Sequence, residues 1–80
     1  MPKIKNISGK AVIKILESLG FVVLRQKGSH IILKRIISDC EQMILVPNHT
    51  VIDRGTLHSI YKKLTLYVDE SEIRNHFYTE

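Results

Sequence analysis

The sequence predicts an α+β domain in which one helix is followed by three strands and then by two further helices. Apolar residues at helical spacing lie near both ends of the chain, and three short β-branched runs lie between them. With 80 residues, of which 44% are hydrophobic, the chain is long enough for one core and too short for two. We therefore expect a single domain over 1–80, an antiparallel meander with its helices on one face.

The first helix is predicted from its two ends. Ser8 is a good N-cap, and Ile7 and Val12 around it have the spacing of a hydrophobic staple. Gly20 stands where a helix commonly ends in the left-handed conformation. The apolar face of this helix would be formed by Val12, Ile15, Leu16 and Leu19.

Runs of β-branched and aromatic residues predict the three strands at 21–24, 30–33 and 43–46. Turn residues at 26–29 and 38–41 separate them. Pro47 ends the third strand because proline has no amide hydrogen to donate to a ladder. With helices on one face of this sheet, the other face is expected to be free for a ligand.

Two aspartates predict where the later helices begin. Asp53 is a good N-cap for a helix with an apolar stripe of i, i+3, i+4, i+7 spacing, formed by Leu57, Ile60, Tyr61 and Leu64. Asp69 would cap a short third helix that buries Ile73 and Phe77. We expect the chain to fray after Phe77.

The chain is basic, and its charge is unevenly distributed. The net charge is +4 and the isoelectric point is about 9.4. Most acids lie after Asp39, whereas the segment 3–35 carries only Glu17. The first half of the chain is therefore expected to face an anionic partner, such as nucleic acid or an acidic protein.

Several classes of protein are disfavoured. No apolar run approaches the roughly 20 residues of a membrane helix, and the N-terminus has no signal-peptide core. The lone Cys40 has no partner for an internal disulfide, as suits a reducing compartment. The four histidines lack metal-ligand spacing, and there is no glycine-rich nucleotide cradle. We expect a soluble cytoplasmic protein with no metal, no cofactor and no membrane partner.

The first hairpin places one histidine among cations. A two-residue turn at Lys27 and Gly28 would pair Arg25 with His30, and strand alternation would add Lys34 to the same face. Such a row would meet the charge of a phosphodiester and offer a titratable nitrogen, as cleavage of RNA by its own 2′-hydroxyl requires. Alternatively, His30 is a strand histidine hydrogen-bonded to a neighbour.

Other candidates lie in loops and at a helix start. His49, just after the third strand, is a possible second acid or base, or alternatively a solvated loop residue. Gly55 and Thr56 have backbone N–H groups that could bind phosphate, or they merely start the second helix. His58 and His76 are expected on the surface.

An ordered set of short motifs carries a resemblance to a known family. The motifs are Gly20-Phe21, Arg25-Gln26-Lys27-Gly28-Ser29-His30, Val46-Pro47-Asn48-His49, and Gly55-Thr56-Leu57 with Ile60. Across about 16–64 the chain resembles the HicA toxins, small ribonucleases of HicA–HicB toxin–antitoxin modules. It departs from their pattern at 62–67, which has no glycine turn, and at Ile31, where a polar residue or histidine is common.

The resemblance implies a double-stranded-RNA-binding-like fold, cleavage of messenger RNA with His30 as the essential histidine, and neutralisation by a HicB antitoxin that covers the site. The leading hypothesis is a type II toxin that acts as a metal-independent endoribonuclease. His30 would move the proton of the attacking hydroxyl, and His49 would protonate the leaving oxygen. The RNA-binding residues would be Arg25, Lys27, Gly28, Ser29 and Lys34. The alternatives are a non-catalytic RNA-binding module of the same fold and a protein-interaction domain.

Overall fold

The computed structural model describes residues 3–79, and its main elements follow the predicted order. The elements are β1 (Lys3–Ile4), α1 (Gly9–Ser18), β2 (Val22–Lys27), β3 (His30–Ile37), β4 (Cys40–Pro47), α2 (Arg54–Leu64), α3 (Glu70–Phe77) and β5 (Tyr78–Thr79). None of the helices in this part of the chain is long and apolar enough to cross a membrane.

A three-stranded antiparallel sheet in the order β2-β3-β4 forms the centre of the fold. Alternate residues of β3 and β4 point into the core, because successive side chains of a strand face opposite sides. The buried inward residues are Ile31, Leu33, Ile44 and Val46, and they pack in one cluster with apolar residues of all three helices. The fold class and the helices on one face are therefore as predicted, and the other sheet face is open.

All three predicted helix caps are confirmed. The Ser8 hydroxyl accepts a hydrogen bond from the backbone N–H of residue 11, and the Asp53 and Asp69 carboxylates accept from residues 56 and 71. Gly20 has a φ of +98°, as a left-handed residue after a helix requires. Local sequence signals therefore fix where each helix begins.

The second predicted turn is too long. The turn consists of Ser38 and Asp39 alone, whose φ angles of 49° and 66° are both positive, whereas Cys40 already pairs with Ile37. Two consecutive residues of positive φ form a type I′ turn, whose twist joins two antiparallel strands directly. The polar residues at 40 and 41 are therefore strand residues, and β3 and β4 extend further than their apolar runs.

The C-terminal segment does not fray after Phe77. The backbone carbonyl of Phe77 accepts a hydrogen bond of 2.7 Å from the N–H of Lys5, and β5 then pairs antiparallel with β1. The Tyr61 ring contacts those of Phe77 and Tyr78 edge-on, at centroid distances of 5.3 and 5.0 Å. Burial and a hydrogen bond to Glu70 raise the pKa of Tyr61 to about 12. The two short strands β1 and β5 thus pair with each other and pack Ile4 and Tyr78 against the core.

Candidate functional site

His30 is the first residue of β3 and follows a tight turn. The turn is formed by Gly28 and Ser29, so that Lys27, not Arg25, lies opposite His30. The predicted register is wrong because a type I′ turn on Lys27 and Gly28 needs a positive φ at both residues, which Lys27 does not have. Gly28 has a φ of +60°, as the first central residue of a type II′ turn requires. The side-chain amide of Gln26 donates to the carbonyl of Gly28 at 2.9 Å and holds this turn.

A β-bulge at Leu24 determines which cations share the face of His30. The register shifts by one residue between Val23 and Arg25, so that Arg25 lies opposite Ile32. Ile32 is two residues from His30 on the same strand and therefore shares its face. Arg25 thus lies on the predicted face, although its cross-strand partner differs from the prediction.

The candidate RNA-binding side chains on this face are not equally available. Arg25 and Lys27 are exposed and make no ion pair within residues 3–79. Lys34 is half-buried, and its Nζ lies 3.7 Å from a carboxylate oxygen of Glu41 on β4. The unpaired positive charge of the face is therefore concentrated beside the turn.

The imidazole of His30 is itself unengaged. The residue is exposed, and its ring makes no hydrogen bond to another residue of 3–79. The alternative of a histidine bonded to a neighbour therefore finds no such bond in the described part of the chain. Ile31, which departs from the family pattern, is 7% exposed and faces the core. A hydrophobic residue beside His30 is thus explained by strand alternation.

The loop after β4 is fastened on both sides at this end of the sheet. Asn48 donates its backbone N–H to the carbonyl of Ser29 at 2.6 Å, and Gly9 donates to the carbonyl of His49 at 2.9 Å. His30 itself lies opposite the last residue of β4. Backbone hydrogen bonds therefore hold His49 at the same end of the sheet as His30.

His49 lines a cleft, and His30 is not part of its lining. This cleft has a volume of about 400 Å³ and lies between the start of α1 and the loop after β4. It is lined by Ser8, Lys10, Asn48, His49 and Thr50. The two candidate catalytic histidines therefore lie at one end of the sheet but do not line one cavity.

The start of α2 favours the structural interpretation of Gly55 and Thr56. The Asp53 carboxylate accepts hydrogen bonds from the backbone N–H and the hydroxyl of Thr56, at 3.0 and 2.7 Å. These bonds lower the pKa of Asp53, with a smaller contribution from the charge of His49. A carboxylate thus already occupies the position at which this helix end would attract a phosphate.

One arginine that adds to the basic character of the first half is structural. Arg35 lies on the helix side of the sheet, where its guanidinium donates to Gln42 Oε1 and the Leu19 carbonyl, both at 2.8 Å, and to the Tyr67 carbonyl at 3.3 Å. It also lies over the Phe21 ring, 4.9 Å from the centroid. Arg35 thus connects three elements and is not offered to a ligand.

The remaining candidates lie elsewhere. His58 and His76 are exposed as predicted, and the Nδ1 of His58 lies 3.5 Å from the Tyr78 hydroxyl. Cys40 is exposed and unpaired. Across residues 3–79, no three histidine, cysteine or acidic side chains are grouped so that they could hold a metal ion.

The open sheet face also carries an apolar patch that the sequence reasoning missed. Val22, Ile36 and Leu45 are 63%, 59% and 48% exposed. Val22 lies opposite Lys34 and Leu45 lies opposite Ile32, so all three residues share the face of His30. The strand alternation around Lys34 was the available signal for this patch.

The fold and this face define a small α+β domain that presents a histidine, unpaired cations and apolar side chains on one open sheet surface. The chain belongs to the HicA toxin family of bacterial toxin–antitoxin systems, because the sequence model of that family matches residues 9–66. The match runs from the start of α1 to just beyond α2 and leaves out β1, α3 and β5. Neither the curated proteins nor the solved structures gave a match.

Proposed function

We propose that this toxin is a metal-independent endoribonuclease that cleaves messenger RNA in the cytoplasm, with His30 as general acid/base. The observation that carries the proposal is the position of His30. It is exposed and unbonded on the open face, directly opposite Lys27 and one residue after the turn. An imidazole beside an unpaired cation is suited to proton transfer next to a phosphate.

The proposed reaction uses the 2′-hydroxyl of the RNA as nucleophile. His30 accepts the proton of that hydroxyl while the 2′-oxygen forms its bond to phosphorus. The bond from phosphorus to the 5′-oxygen breaks, and that oxygen takes a proton from a second acid, a role we assign to His49. Arg25 and Lys27 bind the phosphate oxygens as their negative charge is redistributed. Gly28 and Ser29 contact the RNA strand through the backbone of the turn.

We further propose that a HicB-like antitoxin covers the open face. A partner that binds there buries the apolar patch of Val22, Ile36 and Leu45 and brings acidic groups to Arg25 and Lys34. An apolar area beside cations is a surface that a protein covers with more gain than a nucleic acid does. Co-purification with the product of the neighbouring gene tests this, and a complex that leaves His30 fully accessible would indicate inhibition by another route.

The nuclease proposal is tested with purified protein and a messenger RNA transcript in excess EDTA. We expect cleavage to persist in EDTA, and His30→Ala to reduce the rate by about 10² to 10⁴. His30 is an exposed strand residue, so the same change should lower the free energy of unfolding by about 1 kcal/mol or less. His76→Ala, at an exposed position on α3, is the matched control and should retain full activity.

Three results would contradict parts of this proposal. Full activity of His30→Ala with a native circular dichroism spectrum would remove His30 from the mechanism. Loss of cleavage in EDTA with recovery in Mg²⁺ would contradict metal independence. RNA binding without any cleavage by the unaltered protein would support the non-catalytic module instead.

A further inference from the structure

The cleft between the start of α1 and the loop after β4 is not used by the proposed reaction, apart from His49. Its volume of about 400 Å³ falls within the roughly 300–1,000 Å³ range of small-ligand sites. Its five lining residues each carry a polar group, and their apolar atoms also line the cleft. A ligand of this cleft is therefore expected to combine polar groups with an apolar face and to be about the size of a nucleotide.

The walls of the cleft are fixed relative to His30. Gly9 approaches the loop so closely that a Cβ there would lie 2.3 Å from the carbonyl oxygen of Pro47. The Gly9 N–H donates to the His49 carbonyl, and the Asn48 N–H donates to the carbonyl of Ser29, the residue before His30. Two backbone hydrogen bonds thus connect the start of α1 to the turn that carries His30. A ligand in the cleft would be held at a set position relative to that histidine.

Four side chains of the cleft are available to a ligand. Within residues 3–79 no hydrogen bond is made by the side chains of Lys10, Asn48, His49 and Thr50. Ser8 differs, because its hydroxyl accepts the N–H of residue 11. An ammonium group binds phosphate, an amide and a hydroxyl read the edge of a base, and an imidazole ring stacks on its face.

The charge on the cleft lining indicates how a nucleotide would be oriented in it. Lys10, which is exposed on α1, is the lining residue with a permanent positive charge, so the phosphate of a nucleotide is favoured beside it. The base of the same nucleotide would then lie towards Asn48 and Thr50.

We infer that this cleft is a subsite for the single-stranded RNA nucleotide that flanks the scissile phosphate, with Lys10 on its phosphate and Asn48 and Thr50 on the edge of its base. The inference rests on the proposed ribonuclease function. It assigns selectivity for one neighbouring base to the loop after β4. A base edge is free for such contacts in single strands and not in a helix, so the substrate is expected to be unpaired at this position.

The subsite is tested first by binding. The four 5′-ribonucleoside monophosphates and inorganic phosphate are titrated separately into His30→Ala protein, and amide chemical shifts are followed. We expect one monophosphate to bind most tightly and to shift residues 8–10 and 48–50. Lys10→Gln should weaken that binding about tenfold, the usual effect of losing one charge-assisted hydrogen bond. Lys14→Gln, one helical turn further along α1 and outside the cleft, should change it less than twofold.

The second measurement uses cleavage and separates this inference from the function on which it rests. With His30 intact, Asn48→Ala should raise KM and relax the preference for the flanking base, with kcat changed less than twofold. If the unaltered protein cleaves RNA while the nucleotides shift no residue of the cleft, the subsite is wrong and the nuclease stands. If it cleaves nothing while the cleft binds one nucleotide selectively, the nuclease is wrong and the cleft is still a nucleotide site. Equal binding of inorganic phosphate and all four nucleotides would overturn the base contacts.

Discussion

Arg25 and Arg35 lie on opposite faces of one sheet and are engaged in opposite ways. Arg35, on the inner face, donates to three acceptors from α1, β4 and the segment after α2, and lies over an aromatic ring. Arg25, on the open face, is exposed and makes no hydrogen bond or ion pair within residues 3–79. The net charge of the chain counts both equally. What distinguishes a candidate ligand-binding cation is therefore the absence of an internal partner, which depends on the face.

The same contrast applies to the two sides of the sheet as a whole. Residues on the inner side fill one core together with residues of the three helices, and β1 and β5 pack against it. Residues on the open side are cations, an acid, a histidine and apolar groups, and several of these side chains are exposed. Substitutions inside should therefore change stability, and substitutions outside should change activity and binding.

The largest effect on stability is expected at the C-terminal segment, which lies outside the family match. Phe77 is fully buried and contacts the ring of Tyr61. Phe77→Ala should lower the free energy of unfolding by about 3–5 kcal/mol, the usual cost of deleting a buried phenylalanine. The matched control is Leu66→Ala, at a residue that is 77% exposed, and it should change stability by about 0.5 kcal/mol or less. Urea unfolding measures both free energies. A loss for Phe77→Ala as small as that for Leu66→Ala would mean that α3 is not part of the core.

A smaller loss of stability is expected at Arg35. Arg35→Ala removes three hydrogen bonds from a charged donor at a half-buried position, which should cost about 2–3 kcal/mol. Arg35→Lys retains the charge but cannot reach the same acceptors, so it should recover little of this loss. Arg25→Ala is the control on the opposite face and should leave the urea midpoint almost unchanged. If Arg25→Ala destabilises as much as Arg35→Ala, the contrast between the faces is wrong.

The parts of this molecule that the sequence predicted are those encoded by neighbouring residues. The caps at Ser8, Asp53 and Asp69 each depend on a side chain and an N–H within three residues. The pairing of β1 with β5 joins residues from opposite ends of the chain and has no local signal. The inner position of Arg35 could have been predicted, because strand alternation places Arg35 on the same face as Leu33.

The hairpin of the candidate site shows a different limit. Turns centred on Lys27 and Gly28, or on Gly28 and Ser29, are equally compatible with one glycine in the sequence. The φ of Lys27 is not positive, which excludes a type I′ or II′ turn on the first pair, and the one-residue change places Lys27 instead of Arg25 opposite His30. The bulge at Leu24 then returns Arg25 to the same face, and nothing in the local sequence marks it. The residues of the face could therefore be predicted, whereas their pairing could not.

A third test concerns the second candidate histidine, which lies in the loop after β4. If His49 protonates the leaving oxygen, the rate of cleavage should fall at high pH as its imidazole loses the proton, and with His30 as base it should fall at low pH. His49→Ala should then abolish the alkaline fall and reduce the rate at the optimum by about tenfold or more. The measurement is kcat/KM against pH for both proteins. If His49→Ala keeps the bell-shaped profile of the unaltered protein, His49 is a solvated loop residue and His30 is still the base.

The smallest effect compares two lysines of the open face. Lys27 has no internal ion pair, whereas the Nζ of Lys34 lies 3.7 Å from a carboxylate oxygen of Glu41. RNA binding by Lys27 should release a counterion, so Lys27→Gln should reduce the slope of log affinity against log salt by about 0.7. That slope corresponds to about a 2.5-fold difference between 50 and 200 mM salt. Lys34→Gln should reduce it less, because binding RNA there gives up an existing partner, and Glu41→Gln should increase the contribution of Lys34. Equal slopes for the two lysine variants would show that the pair with Glu41 does not limit RNA binding, and that exposure alone decides which cations of this face are used.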